Sequence, residues 1–104
     1  MDTSRVDSEA VPWTVPGPNV RFKVHREGTR QIRIVEFSEG FAEPDWCLRG
    51  HIGLVLEGVG RLQFQGSEVT LKEGDGVFLQ PGDKHKHKLT VLSKVVRVVL
   101  VEDV

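Results

Sequence analysis

The sequence contains a single cysteine, Cys47, and no long hydrophobic run. One cysteine cannot form a disulfide within the chain, so nothing indicates an oxidising compartment. No apolar run approaches the ~20 residues that a helix needs to cross a bilayer. The first seven residues, Met1 to Asp7, also lack the apolar core of a signal peptide. We therefore expect a cytoplasmic protein with no membrane partner.

An excess of charge of one sign is also absent. The 104 residues carry a formal net charge of -1, so no basic surplus is available to bind a phosphate backbone. We therefore expect no nucleic-acid partner. Hydrophobic residues make up 38% of the chain, which is enough for one modest core. The length likewise indicates a single domain.

The sequence lacks a helical period, and its turn residues are those of an all-β protein. Breakers containing Gly, Pro or Asp-Gly recur every ~8–12 residues, which is typical of a sandwich or barrel. Polar and apolar residues alternate from Val20 to His25 and predict a half-buried strand. Further strands are predicted over residues 31–37, 51–57, 61–65, 69–71, 77–80, 85–92 and 95–101.

The two ends of the chain suggest a second subunit. The segment 95–101 is apolar almost throughout, and a strand that is apolar on both faces is covered on both faces. A second subunit could supply one of these covers, so we expect a homodimer. Residues 1–19 are rich in proline and are expected to form a flexible segment or a dimer arm, with residues 20–104 as the domain. Trp13 could pack on the domain body or on the partner.

Two stretches carry the side chains that could support chemistry. Asp45 and Cys47 are two residues apart, so in an extended segment they face the same way, and His51 follows after a short bend. His85 and His87 are also two residues apart. If the two stretches adjoin inside a barrel, these five groups converge.

Three stretches resemble motifs of the cupin family: Leu56-Glu57-Gly58, Gly74-Asp75-Gly76-Val77-Phe78-Leu79 and Pro81-Gly82-Asp83-Lys84-His85. The resemblance covers residues 30 to 100 or so and implies a single small jelly-roll barrel. The second family motif matches well, from its Gly-Asp turn to its metal-binding histidine. The first departs from the pattern. Asp45 and Cys47 stand where two histidines usually lie, and His51 stands where a glutamate lies. The family's usual site of three histidines and one glutamate is therefore not carried over intact.

The convergence of these groups predicts a metal site. Cys47, His51 and His85 would supply three ligands and leave one position open, as catalytic metal sites do. Asp45 and His87 would be further ligands, orienting partners or acid-base groups, and we name them as candidate catalytic residues. A thiolate with imidazoles suits a divalent transition metal such as zinc, iron, nickel or copper.

Plainer interpretations of the same residues stay open. Cys47 could be a small buried apolar residue, and His51 could be a core histidine bonded to the backbone. His85 and His87 could belong to a solvated basic strand. A cysteine nucleophile with a histidine base needs an electropositive, partly exposed thiol, and Asp45 argues against it. Arg33 and Gln63 could face the interior and bind substrate.

Three functions are compatible with this pattern. The first is a metal-dependent enzyme acting on a small polar metabolite such as a sugar acid, a carboxylate or an amino-acid derivative. The second is a non-catalytic module that binds a small ligand or a metal. The third is a barrel whose site has decayed and which serves a structural role. The fold alone cannot choose among them, because one fold hosts many activities.

Overall fold

The computed structural model describes residues 4–104, so the first three residues of the expected N-terminal segment lie outside the described residues. Within that range the chain forms antiparallel strands and one short 3-10 turn, Asp83–His85. The strands are β1 (Thr14–Gly17), β2 (Val20–Glu27), β3 (Arg30–Ser38), β4 (His51–Glu57), β5 (Val59–Phe64), β6 (Ser67–Lys72), β7 (Gly76–Leu79), β8 (His87–Val91) and β9 (Val95–Asp103).

These strands form two sheets that enclose one core. The larger sheet has the order β1-β2-β3-β9-β4-β7, and the smaller one has the order β6-β5-β8. Every neighbouring pair is antiparallel. The prediction of an all-β jelly-roll barrel is therefore confirmed. Within residues 4–104, no helix has the length and apolar character needed to cross a bilayer.

The core is built from alternate residues of the strands, as the pleat of a strand requires. On β9 the buried positions are Val96, Val98, Leu100 and Glu102, and the residues between them are half-buried. Val55 of β4 is only 1% exposed. The inward face of β9 thus runs from apolar residues to one carboxylate at its end.

The N-terminal segment joins the sheet earlier than the predicted boundary at residue 20. Thr14–Gly17 forms β1 and pairs with β2. Its Pro16 is tolerated because β1 lies at the edge of the sheet, where a missing N–H is not needed. The ring of Trp13 lies 4.0 Å from the Arg21 guanidinium. Of the two packing partners expected for Trp13, the structure shows the domain body.

The prediction of one strand over residues 85–92 is wrong at its start. After Gly82 the chain makes the 3-10 turn, in which the His85 N–H donates to the Gly82 carbonyl at 3.1 Å. Strand β8 then begins at His87. His85 and His87 therefore do not share a strand face, and only His87 is buried.

Candidate metal centre

The first half of the site is a short antiparallel bridge between Cys47 and His87. The Cys47 N–H donates to the His87 carbonyl at 2.8 Å, and the His87 N–H donates to the Cys47 carbonyl at 3.0 Å. Residues that exchange both hydrogen bonds lie directly opposite each other. This pairing places a thiol from the front half of the chain beside an imidazole from the back half.

The second half of the site is His51, the first residue of β4, which follows the close bend at Gly50. A Cβ added to Gly50 would lie 2.8 Å from Pro81 Cδ and 3.0 Å from the Leu79 carbonyl oxygen. Only glycine lets the backbone pass this close to the neighbouring turn. The bend brings His51 Nε2 to 3.6 Å from Cys47 Sγ.

Cys47, His51 and His87 form one compact group. Each offers a ligand atom, and these atoms all lie within 4.8 Å of one another. His51 and His87 are buried at 7% and 3% exposure. Three ligand-type atoms so close together, with little access to water, are the arrangement that a catalytic metal site needs.

Both imidazoles are held by hydrogen bonds on the side away from this group. His51 Nδ1 donates to Glu102 Oε2 at 2.6 Å, and His87 Nδ1 donates to the His85 carbonyl at 3.1 Å. Carboxylate and carbonyl oxygens only accept, so each ring carries a proton on Nδ1. Metal-binding histidines are oriented in this way.

Glu102 lies at the centre of a buried hydrogen-bond network, with a side chain only 1% exposed. Besides the bond from His51, it accepts from Gln31 Nε2 at 2.6 Å and from the Arg33 guanidinium. Burial alone would raise the pKa of Glu102. The three donors outweigh it and lower the pKa to about 2. The carboxylate is therefore fixed in its charged form beside His51.

The same contacts change the pKa values of the three clustered groups. Hydrogen bonds from His51 and His87 lower the pKa of Cys47 to about 5. Burial would lower the pKa of His51, but the bonds to Cys47 and Glu102 raise it to about 9. Burial acts the same way on His87, and its bonds to Cys47 and the His85 carbonyl raise its pKa. The cysteine is thus a thiolate at neutral pH, which is the form that binds metals.

The spacing of Cys47 and His51 fits a tetrahedral transition metal. Zinc binds thiolate sulfur at about 2.3 Å and imidazole nitrogen at about 2.05 Å, and tetrahedral angles then separate the two ligand atoms by roughly 3.5 Å. The observed separation of Cys47 Sγ from His51 Nε2 is 3.6 Å. Three protein ligands would leave one position of the ion open.

The three-residue group lies at the polar end of a cavity of about 380 Å³ between the sheets. Glu43 also lines this end, and its carboxylate accepts the Leu89 N–H at 3.0 Å. Burial raises the pKa of Glu43. The remaining lining comes from Pro16, Val20, Phe22, Arg33, Val35, Phe37, Phe41, Arg49, Leu62, Leu71, Val77, Leu79, Leu89, Val98 and Leu100.

The structure unites only part of the set of site residues expected from the sequence. Cys47, His51 and His87 meet, whereas His85 and Asp45 are exposed and do not line the cavity. His85 lies apart because it belongs to the 3-10 turn that precedes β8. Asp45 lies in a bend rather than in the extended segment that would align it with Cys47.

Two acidic residues near the site, Glu43 and Glu102, were not among the candidates predicted from the sequence. Glu102 carried a usable signal, because it continues the inward alternation of Val96, Val98 and Leu100 on β9. Glu43 carried none, because the segment from Ser38 to the Cys47 bridge has no strand period to indicate which side chains turn inward. Of the two interior candidates on strands, Arg33 lines the cavity and Gln63 is exposed.

Comparison with known proteins identifies the fold that carries this geometry. A family model described as the AraC-like ligand binding domain matches residues 39–89, which include all three clustered residues. An RmlC-like cupin from Shewanella frigidimarina superimposes with a TM-score of 0.78 at 14% identity, covering 98% of this chain and 91% of that chain. The chain has the fold of a small cupin. The comparison with curated proteins finds no match.

Two further solved structures have the same cupin fold. KdgF from Halomonas sp. is 20% identical, with a TM-score of 0.76, and the match covers 94% of this chain and 89% of that chain. The polyketide cyclase RemF from Streptomyces resistomycificus is also 20% identical, with a TM-score of 0.79, and the match covers 98% of this chain and 80% of the cyclase. At these identities the likeness shows the fold, and function must be argued from the site.

Proposed function

We propose that this cupin is a metal-dependent enzyme that acts on a small organic molecule bound inside its barrel. The observation that carries the proposal is the convergence of Cys47, His51 and His87 within 4.8 Å at the end of a cavity of about 380 Å³. Cavities of this size accommodate small ligands, and a three-ligand site leaves a metal position open towards them.

The three clustered residues would hold the ion as one thiolate and two imidazoles. This donor set suits zinc, iron or nickel. A bound ion would supply a Lewis acid or an oxygen-activating centre. We assign the third ligand to His87 instead of His85, because His87 belongs to the group and His85 does not. Glu102 acts as a positioning residue, since it fixes the ring of His51.

Glu43 is the group that we assign to proton transfer. It lines the polar end of the cavity, and its raised pKa lets the carboxyl group both accept and release a proton closer to neutral pH. The sequence offers Asp45 and His87 as acid-base candidates, but Asp45 is exposed and outside the lining, and His87 belongs to the ligand group. Glu43 precedes Asp45 by two residues and faces the cavity.

The metal content of histidine variants tests this assignment. Protein purified without chelators should contain a transition metal, and His87→Ala should lose most of it because a ligand is gone. His85→Ala is the matched control two residues away. It should keep its metal, since the backbone carbonyl that orients His87 remains. Loss of metal in His85→Ala but not in His87→Ala would overturn the ligand set, and metal-free wild type would overturn the function.

A non-catalytic ligand-binding module is the second candidate, favoured by the match of residues 39–89 to an AraC-like ligand binding domain. The two candidates make different predictions for a panel of small carboxylates. An enzyme should consume at least one of them. A binding module should show saturable thermal stabilisation without turnover.

We also propose that two copies of this cupin form a homodimer through the outer face of the larger sheet. Ile52, Leu54 and Phe78 are 46%, 43% and 73% exposed on this face. Residue Ile52 lies beside Phe78 on β7 and beside Val101 on β9, so these apolar side chains form one continuous surface.

A cytoplasmic location remains a prediction from the single cysteine.

A further inference from the structure

The walls of the cavity differ sharply in chemistry from its polar end. Beyond the polar end, the lining of the barrel interior is aliphatic or aromatic. The Phe37 and Phe41 rings lie 4.7 Å apart, and Phe22 lines the same space. Within residues 4–104, no serine, threonine, asparagine or glutamine side chain lines the cavity.

Such walls are unsuited to a ligand with many hydroxyl groups. Each hydroxyl taken from water into this space would need a hydrogen-bond partner, and a buried polar group without one lowers affinity. An aromatic or branched aliphatic body needs no such partners and gains from leaving water. Most of the ligand should therefore be apolar.

The polar end favours an anionic oxygen on that apolar body. Glu102 neutralises Arg33, with which it is paired. The Arg49 side chain lines the cavity but is 61% exposed. Its guanidinium lies 3.9 Å from the Glu102 carboxylate, which is too far for a hydrogen bond. Arg49 therefore has donors free to bind a ligand. A divalent cation held by one thiolate and two neutral imidazoles would keep a net positive charge.

We propose that the ligand of this site is a small carboxylate with an aromatic or branched aliphatic body, bound with its carboxylate at the Cys47–His51–His87 end and its body against the phenylalanine walls. The inference rests on the proposed function and names its substrate class. Among the ligand classes expected from the sequence, it selects carboxylates with an apolar body over sugar acids. At about 30 Å³ per water molecule, 380 Å³ holds roughly a dozen waters, so a single-ring carboxylate fits.

Three compounds distinguish the contribution of the apolar body to binding from that of the carboxylate. Wild-type protein as purified is titrated with 3-phenylpropionate, with glucuronate and with 3-phenylpropanol, and dissociation constants are taken from thermal shifts. The phenylpropionate should bind roughly tenfold or more tightly than glucuronate, which has the same charge but a polar body. It should also bind more tightly than the alcohol, which keeps the body and lacks the charge. Glucuronate binding as tightly as phenylpropionate, or no binding by phenylpropionate, would overturn the proposal.

A pair of variants shows whether the binding occurs in this cavity. Val20→Thr introduces a hydroxyl at a half-buried wall position without changing the volume, and it should weaken phenylpropionate binding several-fold. Val15→Thr makes the same change at a position 67% exposed and outside the lining, and it should leave binding unchanged. Equal effects of the two variants would place the ligand elsewhere and overturn the proposal.

Metal analysis of the same samples separates this proposal from the proposed function. Protein that binds phenylpropionate tightly but contains no metal would retain the ligand class and reject the metal-dependent enzyme. Protein that contains metal but prefers glucuronate would reject the ligand class alone.

Discussion

Glu102 shows how a single residue can organise a site without lining it. The carboxylate is buried at the end of β9, where it joins the His51 ring to Arg33 and Gln31. A buried carboxylate is unfavourable unless its charge is paired and its oxygens accept hydrogen bonds. Here both conditions are met, so the network stabilises the fold and orients His51. The strand alternation predicts that residue 102 faces inward, but only coordinates identify its partners.

Replacing Glu102 by glutamine should change how stability depends on pH. The folded-state pKa of about 2 lies below the ordinary value of 4.5. The charged carboxylate therefore stabilises the fold above about 4.5, and this contribution is lost as the pH falls towards 2. Glu102→Gln should be less stable than wild type at pH 7, by about 3 kcal/mol, and the difference should shrink at acid pH.

Thermal or urea unfolding measured from pH 2 to pH 7 checks this expectation. Glu68→Gln is the control, because Glu68 and Arg61 form an exposed pair 3.7 Å apart and such pairs contribute little. Parallel stability curves for wild type and Glu102→Gln would show that the network does not lower the pKa of this carboxyl group.

At the scale of elements, the junctions between strands decide which side chains meet. The apolar run that ends at Gly58 correctly predicts that β4 begins at His51, and their residue types identify Cys47 and His51 as candidates. Alternation cannot detect that residues 83–85 form a 3-10 turn, since their polar side chains fit a turn and an exposed strand equally well. Because the turn occupies residues 83–85, β8 begins at His87 instead of His85. His87 is therefore the histidine that pairs with Cys47.

The Gly50 bend makes a testable contribution to this geometry. The Cβ of Gly50→Ala would lie 2.8 Å from Pro81 Cδ and 3.0 Å from a backbone oxygen, so one strand end must shift. We expect a loss of about 1–3 kcal/mol in the free energy of unfolding and a lower metal content. Both are measurable by chemical denaturation and elemental analysis.

The control for this substitution is Gly76→Ala on β7. There the added Cβ has its nearest neighbour, the Gly53 carbonyl oxygen, at 3.9 Å, which is an ordinary contact. Its stability and metal content should stay close to those of wild type. Equal effects of the two alanine variants would mean that the close approach at Gly50 does not position His51.

At the scale of the whole molecule, the larger sheet has two faces with different roles. Its inner face forms the core and the cavity. Its outer face carries the continuous surface around Ile52 and Phe78. Val6 and Val11 of the N-terminal segment lie over another part of the sheet, beside Ile34 and Val99. The sequence correctly predicts the all-β fold because alternation and turn residues are local signals. It leaves open how the N-terminal segment packs, because that depends on contacts between distant residues.

Introducing a charge into this surface should disrupt the homodimer. Phe78→Lys replaces a 73% exposed ring with a cation that the partner's apolar face cannot accommodate. We expect analytical ultracentrifugation to show a dimer for wild type and a monomer for this variant. Val69→Lys, at a 46% exposed position on the smaller sheet, should remain dimeric. A monomeric wild type, or a dimeric Phe78→Lys, would contradict the proposed interface.

X-ray absorption at the metal edge of the wild-type protein tests the central claim most directly, because it reports the element and its ligand atoms together. We predict one transition metal bound by one sulfur and two imidazole nitrogens, at about 2.3 Å and about 2.0–2.1 Å if the ion is zinc. An ion with no sulfur ligand, or protein that takes up no transition metal at all, would contradict it.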